Sequence, residues 1–326
     1  MSEVLLEVQN LKTYFSITKG EVKAVDGVSF TLNKGESIGL VGESGCGKTT
    51  TALSVIRLLP KEGNIESGKI IFEGNDITNL EEQKLSDFRW KEVSMIFQGA
   101  MNALNPVQRV CDQIAEPILL HEKINKTEAM KRVKELFELV ELDTNLMYSY
   151  PHEFSGGMRQ RAIIAMALAC NPKLIIGDEP TTALDVMVQA QILDLINDLR
   201  KKLNMSMIMI THDLSIITET CDIVAIMYAG KIVELGETEE IISNSLHPYT
   251  KKLISAFPNI YGERKMVDSI PGDPPDLYNP PEGCRFAQRC HMVNSKVCIS
   301  EEAPPLIDYT GNGHFVACHL WRNSDV

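Results

Sequence analysis

Three short runs of residues in this 326-residue chain have the types and spacing to handle phosphate. The first, Gly42-Glu43-Ser44-Gly45-Cys46-Gly47-Lys48-Thr49, fits the pattern GxxxxGK(S/T). Glycines at these positions let successive backbone N–H groups converge on the β- and γ-phosphates of a nucleotide. Lys48 adds a cation, the Thr49 hydroxyl can ligate Mg²⁺, and Thr50 follows in the same first turn. The second run is the apolar stretch Leu174-Ile175-Ile176-Gly177 ending in Asp178-Glu179. A carboxylate pair at the carboxyl end of a sheet strand places Asp178 for Mg²⁺ and Glu179 to polarise an attacking water. The third is Phe154-Ser155-Gly156-Gly157-Met158, ahead of the helix-like Ala162 to Ala169. A serine and two glycines opening a helix make a second anion site. One chain does not need two γ-phosphate cradles, so the second is expected to close over a nucleotide held by another subunit.

These runs need particular elements to hold them. Leu5 to Val8 and Ser37 to Val41 read as strands, the second preceded by the turn signal Lys34-Gly35 and leading straight into the glycine-rich loop. A helix is expected over Thr49 to Leu59, halted by Pro60 and a turn-rich stretch around Gly63 and Gly68. Asn125 to Leu142 puts Met130, Val133, Leu136, Phe137 and Val140 on one helical face, and Asn125 and Glu128 have capping-box spacing. Further strands are expected at Val93 to Phe97, Leu174 to Gly177, Met207 to Ile210 and Ile223 to Met227, with a helix over Val188 to Leu203. That alternation predicts a parallel α/β sheet. Beyond about Asn244 lie nine of the fifteen prolines, which predicts a loop-rich tail lacking long regular elements.

Composition excludes several classes. The chain is 44% hydrophobic and 23% charged, ordinary for a globular protein with a sizeable core. With 32 Lys and Arg against 44 Asp and Glu, the net charge of −12 disfavours sequence-independent nucleic-acid binding, which needs a basic face. The longest apolar runs, Ala162 to Cys170 and Ile223 to Ala229, fall far short of the ~20 residues of a membrane-spanning helix. Met1 to Val8 has no basic segment leading into an apolar run, so a secretion signal is not expected and a cytosolic setting is.

With its neighbours, the Ser155 run resembles the LSGGQ signature of ABC-type ATPases, Phe154 and Met158 departing at its ends. The other motifs follow the family's order. Gln98 resembles the glutamine that senses Mg²⁺ and the attacking water. Thr182-Ala183-Leu184-Asp185 resembles the loop crossing the dimer seam, with Thr182 where serine is common, and His212 resembles the switch histidine at the γ-phosphate. Phe15, or its neighbour Tyr14, resembles the aromatic that stacks on adenine. The resemblance implies a RecA-like P-loop core over residues 1–245, a helical subdomain at about 85–160, and ATP hydrolysis carried by Lys48, Gln98, Glu179 and His212. It implies Mg²⁺ at Thr49, Gln98 and Asp178, and a partner's ATP at Ser155, Gly156 and Gly157.

Four of the eight cysteines, Cys284, Cys290, Cys298 and Cys318, fall in the last 43 residues with five, seven and nineteen residues between them. Four thiolates in a segment with little core suit Zn²⁺ or an iron–sulfur cluster, and the spacing matches neither common pattern. The tail also carries His247-Pro248-Tyr249-Thr250, Ile270-Pro271-Gly272-Asp273-Pro274-Pro275 and Gly283-Cys284-Arg285-Phe286. These resemble the C-terminal extension, here residues 246–326, of the dipeptide and oligopeptide branch of ABC importers. That resemblance implies a 4Fe–4S cluster at the four cysteines, with Zn²⁺ as alternative. It also implies a paralogous ATPase subunit or second copy as partner, two membrane-spanning permease subunits, an indirectly coupled substrate-binding protein, and a peripheral place on the cytoplasmic face of the membrane. Relatives in the branch import nickel or oligosaccharides, so cargo is not set by this chain.

Overall fold

The computed structural model describes residues 3–18, 20–99, 103–182, 184–256, 270–299 and 302–321. In chain order the elements begin with β1 (Val4–Ile17), β2 (Gly20–Asn33), β3 (Ser37–Val41), α1 (Lys48–Val55), β4 (Gly63–Phe72) and β5 (Asn75–Asp76). There follow α2 (Glu82–Phe88), β6 (Val93–Ile96), α3 (Val110–His121), α4 (Lys126–Leu139), α5 (Gly156–Ala167), β7 (Leu174–Asp178), α6 (Val186–Leu203) and β8 (Ser206–Thr211). Then come α7 (Leu214–Thr220), β9 (Ile223–Tyr228), β10 (Lys231–Glu237), α8 (Thr238–Asn244), α9 (Pro248–Ser255), α10 (Ser295–Cys298), β11 (Ile307–Asp308) and β12 (Phe315–Val316). Among the described residues, no helix is long and apolar enough to cross a membrane.

The chain divides into two compact units. One comprises Met1–Leu5, Leu32–Ser37 and Asn79–Ile210. Within it β6, β7 and β8 pair in parallel, Val93 opposite Leu174 and Leu174 opposite Ser206. Every residue of β7 and of β8 is buried, the continuous apolar pattern of strands covered on both faces. Helix α4 starts at the expected capping box: Asn125 Oδ1 accepts from the Glu128 amide at 3.0 Å, and Glu128 Oε2 accepts from the Asn125 amide at 3.0 Å. Val133, Leu136, Phe137 and Val140 of its apolar face are fully buried.

The other unit comprises Leu6–Thr31, Ile38–Thr78 and Thr211–Val326. Here β3 runs parallel to β9, β10 pairs antiparallel with β9, and the tail's β12 adds antiparallel to β10 with β11 beyond it. A second sheet has the order β2-β1-β4-β5. Two expectations fail here for local reasons. The first helix ends at Val55 rather than Leu59, because Arg57 takes a left-handed backbone (φ 54) that an α-helix cannot continue through. The stretch around Gly63 and Gly68 is not a turn but strand β4. Gly68 (φ 101) marks an irregularity in the β1–β4 register, where a Cβ would lie 2.6 Å from the Asn10 carbonyl oxygen. That pairing also explains why the first strand runs on to Ile17 rather than stopping at Val8. Among its described residues the proline-rich tail forms short elements, of which the longest, α9, has 8 residues.

Candidate functional site: a phosphate loop and a buried acidic strand end

Buried strand β3 delivers the chain into the glycine-rich loop, and α1 leaves it. Gly47 is the N-cap of α1 with φ 104, and no side chain caps the helix. The first amides of α1 are therefore not claimed by a side-chain cap, and they carry the positive end of the helix dipole. Lys48 is almost fully buried, and its Nζ donates to the Gly42 carbonyl at 2.6 Å and the Glu43 carbonyl at 3.0 Å. Its cation is folded across the loop that would receive an anion. Ser44, Gly45 and Thr49 are exposed, Thr50 half-buried. The Cys46 thiol lies 3.7 Å from Lys48 Nζ. Burial pushes its pKa up against the lowering influence of Lys48, as for a small side chain packed beneath the loop.

A Cβ on Gly47 would sit 2.3 Å from the Ala24 carbonyl oxygen. Left-handed backbone costs an L-residue about 1–2 kcal/mol before that clash is counted. Gly47→Ala is therefore expected to weaken nucleoside-triphosphate binding by about tenfold or more, each decade being about 1.4 kcal/mol. Equilibrium titration reads this directly, and unchanged affinity would show that the loop's shape is not set at this residue.

In the other unit, Asp178 ends β7 with 3% of its surface exposed. Glu179 follows with φ 47, an uncommon left-handed conformation for a glutamate. Its amide is held by the Ile210 carbonyl of β8 at 2.9 Å. Its Oε2 accepts from Gln98 Nε2 at 2.8 Å and from the Thr182 hydroxyl at 3.0 Å. Gln98 and Glu179, expected independently from sequence, thus meet in one hydrogen bond. Thr182, noted in the sequence only as a seam-loop departure, shares the carboxylate.

Ser155 is the N-cap of α5, its Oγ accepting from the Met158 amide at 3.3 Å. Phe154 is buried at 3% exposure, so the departure at this end of the signature is absorbed as core packing. A Cβ on Gly157 would meet Val188 Cγ1 of α6 at 2.9 Å. Gln160 Nε2 on α5 donates to the Pro180 carbonyl at 2.6 Å, tying the signature helix to the segment after Glu179. Asp185 caps α6, accepting from the Val188 amide at 3.0 Å. The next two residues, Val186 and Met187, are 82% and 73% exposed. Ala183 lies outside the described residues. His212 follows β8, exposed. The unit of residues 79–210 contains Gln98, Ser155, Gly156, Gly157, Asp178, Glu179 and Asp185; the loop, Phe15 and His212 belong to the other.

Of the two aromatic candidates, Tyr14 is engaged: its hydroxyl donates to Asp26 Oδ1 at 2.9 Å. Burial and that bond raise its pKa well above the ordinary tyrosine value. Phe15, half-buried opposite Gly63 in the β1–β4 ladder, has no such tether.

In the tail, Cys284, Cys290, Cys298 and Cys318 are all free thiols. Burial, ahead of the other three cysteines, pushes Cys284 up to about 12, and burial ahead of Cys290 and Cys298 pushes Cys318 up to about 11. That mutual influence places the four sulfurs in one neighbourhood, and the Cys284 amide donates to the Cys298 carbonyl at 2.9 Å. Among the described residues, no three His, Cys, Asp or Glu side chains converge on a single-ion position. Two arginines that the sequence reading did not single out as site residues anchor this segment. Arg285 pairs with Asp26, and Arg289 pairs with Glu43 of the phosphate loop.

Comparison with known proteins bears on each part. The ABC transporter family matches residues 25–182, and the family described as "Oligopeptide/dipeptide transporter, C-terminal region" matches residues 233–298. The oligopeptide transport ATP-binding protein OppD of Bacillus subtilis is 49% identical over 305 residues, covering 92% of this chain and 85% of its own length. Its Escherichia coli namesake is 45% identical over 320 residues, covering 97% of this chain and 93% of its own. The chain belongs to the ABC transporter family, in its oligopeptide/dipeptide branch.

Solved structures agree on the fold of the cassette. CbiO1 from Clostridium perfringens, part of the ABC transporter complex cbiONQ, superposes with a TM-score of 0.64 at 26% identity, over 74% of this chain and 92% of its own. The dimeric cassette MJ0796 in a post-hydrolysis state with ADP and Pi also gives 0.64, at 23% identity, over 72% of this chain and 99% of its own. As an ABC ATPase, the chain has the expected P-loop α/β architecture. The signal for Arg285 and Arg289 was present in the sequence only as their place between and beside Cys284 and Cys290.

Proposed function

We propose that this ABC ATPase powers the import of di- or oligopeptides, working with a paralogous cassette, or a second copy, and two membrane-spanning permease subunits at the cytoplasmic face of the membrane. A substrate-binding protein would couple indirectly, and the acidic balance of the chain speaks against a nucleic-acid partner. The observation that carries the reading is that likeness to oligopeptide transport ATP-binding proteins runs through both cassette and tail. Residues 1–245 would form the nucleotide-binding domain, with the helical subdomain at about 85–160, and 246–326 the extension.

In this reading the amides of Gly42 to Thr50 and the Lys48 ammonium bind the β- and γ-phosphates, and Phe15 stacks on adenine. The partner cassette's serine–glycine turn, equivalent to Ser155–Gly157, closes over the γ-phosphate, with Asp185 and the exposed Val186 and Met187 at the seam. Glu179, oriented by Gln98 and Thr182, takes the proton of the water whose oxygen attacks the γ-phosphorus as the bond to ADP breaks. His212 contacts the transferred phosphate. Thr49, Asp178 and Gln98 each carry the hard oxygen donor that Mg²⁺ takes and would be its ligands; the ion would supply charge neutralisation of the phosphates.

The four tail cysteines would hold a 4Fe–4S cluster, with one Zn²⁺ as alternative. Their common neighbourhood and free thiols support a four-thiolate site. The donors fit either group in kind, since thiolates would hold an iron–sulfur cluster or Zn²⁺ alike. The test is to purify the intact membrane complex anaerobically. Peptide with its binding protein is expected to stimulate ATP hydrolysis, and the preparation to be coloured and to contain iron. Stimulation by nickel or an oligosaccharide instead would reassign the cargo, and colourless iron-free protein would remove the cluster.

A further inference from the structure

Glu43 is the first variable residue of the phosphate loop, and a carboxylate there faces a difficulty: the loop exists to bind a polyanion. The structure shows how that charge is managed. Arg289, in the tail between Cys284 and Cys290, reaches Glu43 with both arms of its guanidinium, Nη1 to Oε2 at 2.6 Å and Nη2 to Oε1 at 3.0 Å. The remaining N–H groups are also taken. Nη1 donates to the Tyr228 hydroxyl at 3.2 Å, Nε to the Pro271 carbonyl at 2.8 Å and Nη2 to the Ile270 carbonyl at 3.3 Å. All five guanidinium donors thus have acceptors. The Arg289 side chain is 6% exposed and that of Glu43 27%.

A second tail residue grips the same position. The Glu43 amide donates to the Tyr249 hydroxyl of α9 at 3.1 Å. Tyr228, Tyr249 and Phe286 pack ring to ring, with centroids 4.7, 5.2 and 5.4 Å apart, and form an aromatic base beneath the arginine, whose Cζ lies 5.7 Å from the Tyr228 ring. An exposed ion pair contributes almost nothing, but a bidentate, sheltered one fixes both charge and orientation.

We propose that Arg289 is a positioning residue of the ATP site: it holds and neutralises the Glu43 carboxylate, so that the tail sets how tightly the phosphate loop takes ATP. Freed, that carboxylate would repel the incoming triphosphate. It would also compete for Lys48, whose ammonium already bonds the carbonyls of Gly42 and Glu43. The inference rests on the reading that the loop binds the phosphates of ATP; failure of the wild-type chain to bind nucleotide would refute that reading, whereas the variants below address Arg289 alone.

The test uses the full chain and equilibrium titration with AMP-PNP and Mg²⁺, fold being monitored by tryptophan fluorescence. Arg289→Gln keeps a side chain able to donate to the neighbouring oxygens but leaves Glu43 charged. It is expected to weaken binding by about 10- to 30-fold, about 1.4–2 kcal/mol. The double variant E43Q/R289Q, with neither charge, should bind about fivefold or more tighter than R289Q, a non-additivity that loss of fold alone does not produce. Arg289→Lys, which restores a cation without the bidentate grip, should recover part of the loss and bind more tightly than R289Q. R289Q binding within threefold of wild type, or a double variant no tighter than R289Q, would overturn the proposal. If R289Q does not fold, R289K decides: binding within about tenfold of wild type supports the proposal, and a greater loss overturns it.

Discussion

Replacing Glu179 by Gln is expected to cut ATP turnover by about 10²- to 10⁴-fold while leaving ATP binding intact, the range for removing a general base. The local geometry makes this a clean substitution. Gln98 and Thr182 both donate to one oxygen of Glu179, Oε2, and a glutamine can present its carbonyl oxygen to both donors. The other oxygen becomes an NH₂ group that cannot accept a proton. The left-handed backbone at this residue and its amide bond to Ile210 are unaffected by the exchange. Hydrolysis should be measured in the intact membrane complex, with nucleotide binding measured beside it. Near-normal turnover, in a preparation free of other ATPases, would remove Glu179 from the role of base.

The Gln98–Glu179 bond joins residues 81 apart in sequence, and in the proposed mechanism it would link the water-activating carboxylate to the segment that follows β6. Gln98 lies two residues beyond the end of β6, and Phe97 between them is 43% exposed. A displacement of that segment would withdraw a donor from the Glu179 carboxylate. Gln160 on the signature helix holds the Pro180 carbonyl, so the same carboxylate segment is braced from a second side.

What the sequence made legible and what it hid divide by the range of the interaction. The buried strands β3, β7 and β8 were read within one residue of their ends, because a parallel strand covered on both faces writes its burial into a run of about four consecutive apolar residues. The Asn125–Glu128 capping box was legible because both partners lie within four residues. Gly68 misled because glycine marks turns and register irregularities alike, and only the pairing of β1 with β4 tells them apart. The residues proposed to handle phosphate were singled out by type and order, whereas the sharing of Glu179 by Gln98 and Thr182 leaves no mark in the sequence. Arg289 and Arg285 were hidden most deeply. Their carboxylate partners lie 246 and 259 residues away, and nothing local distinguishes such an arginine from a solvated one.

Arg285→Ala is expected to destabilise the unit carrying the tail by about 3 kcal/mol, the lower end of the range for breaking a sheltered ion pair. Arg285 donates through Nη2 to Asp26 Oδ2 and through Nη1 to the Ala229 carbonyl, so one side chain from the tail locks β2 to the β9–β10 turn. The side chains of Arg285 and Asp26 are only 6% and 14% exposed. The loss sits at the lower end because Asp26 keeps other partners: the Tyr14 hydroxyl at 2.9 Å, and the Lys231 and Lys12 ammonium groups at 3.8 and 4.0 Å. Burial pushes the Asp26 carboxyl up, but Lys231, Arg285 and the Tyr14 hydrogen bond outweigh it and hold it below the ordinary aspartate value. A carboxyl depressed in the folded state stabilises the protein above its unfolded pKa, about 3.9, and that stabilisation is lost as pH falls through the folded value. The gap between wild type and Arg285→Ala should therefore be full at neutral pH and shrink on acidification below about pH 4. Urea denaturation followed by tryptophan fluorescence reads it, since Trp321 packs on Tyr309 within the tail at 4.9 Å between ring centroids. A gap under about 1 kcal/mol at neutral pH would place this pair with ordinary surface ion pairs. A gap unchanged in acid would mean that the guanidinium acts through the Ala229 carbonyl and its own packing, and not through the charge of Asp26.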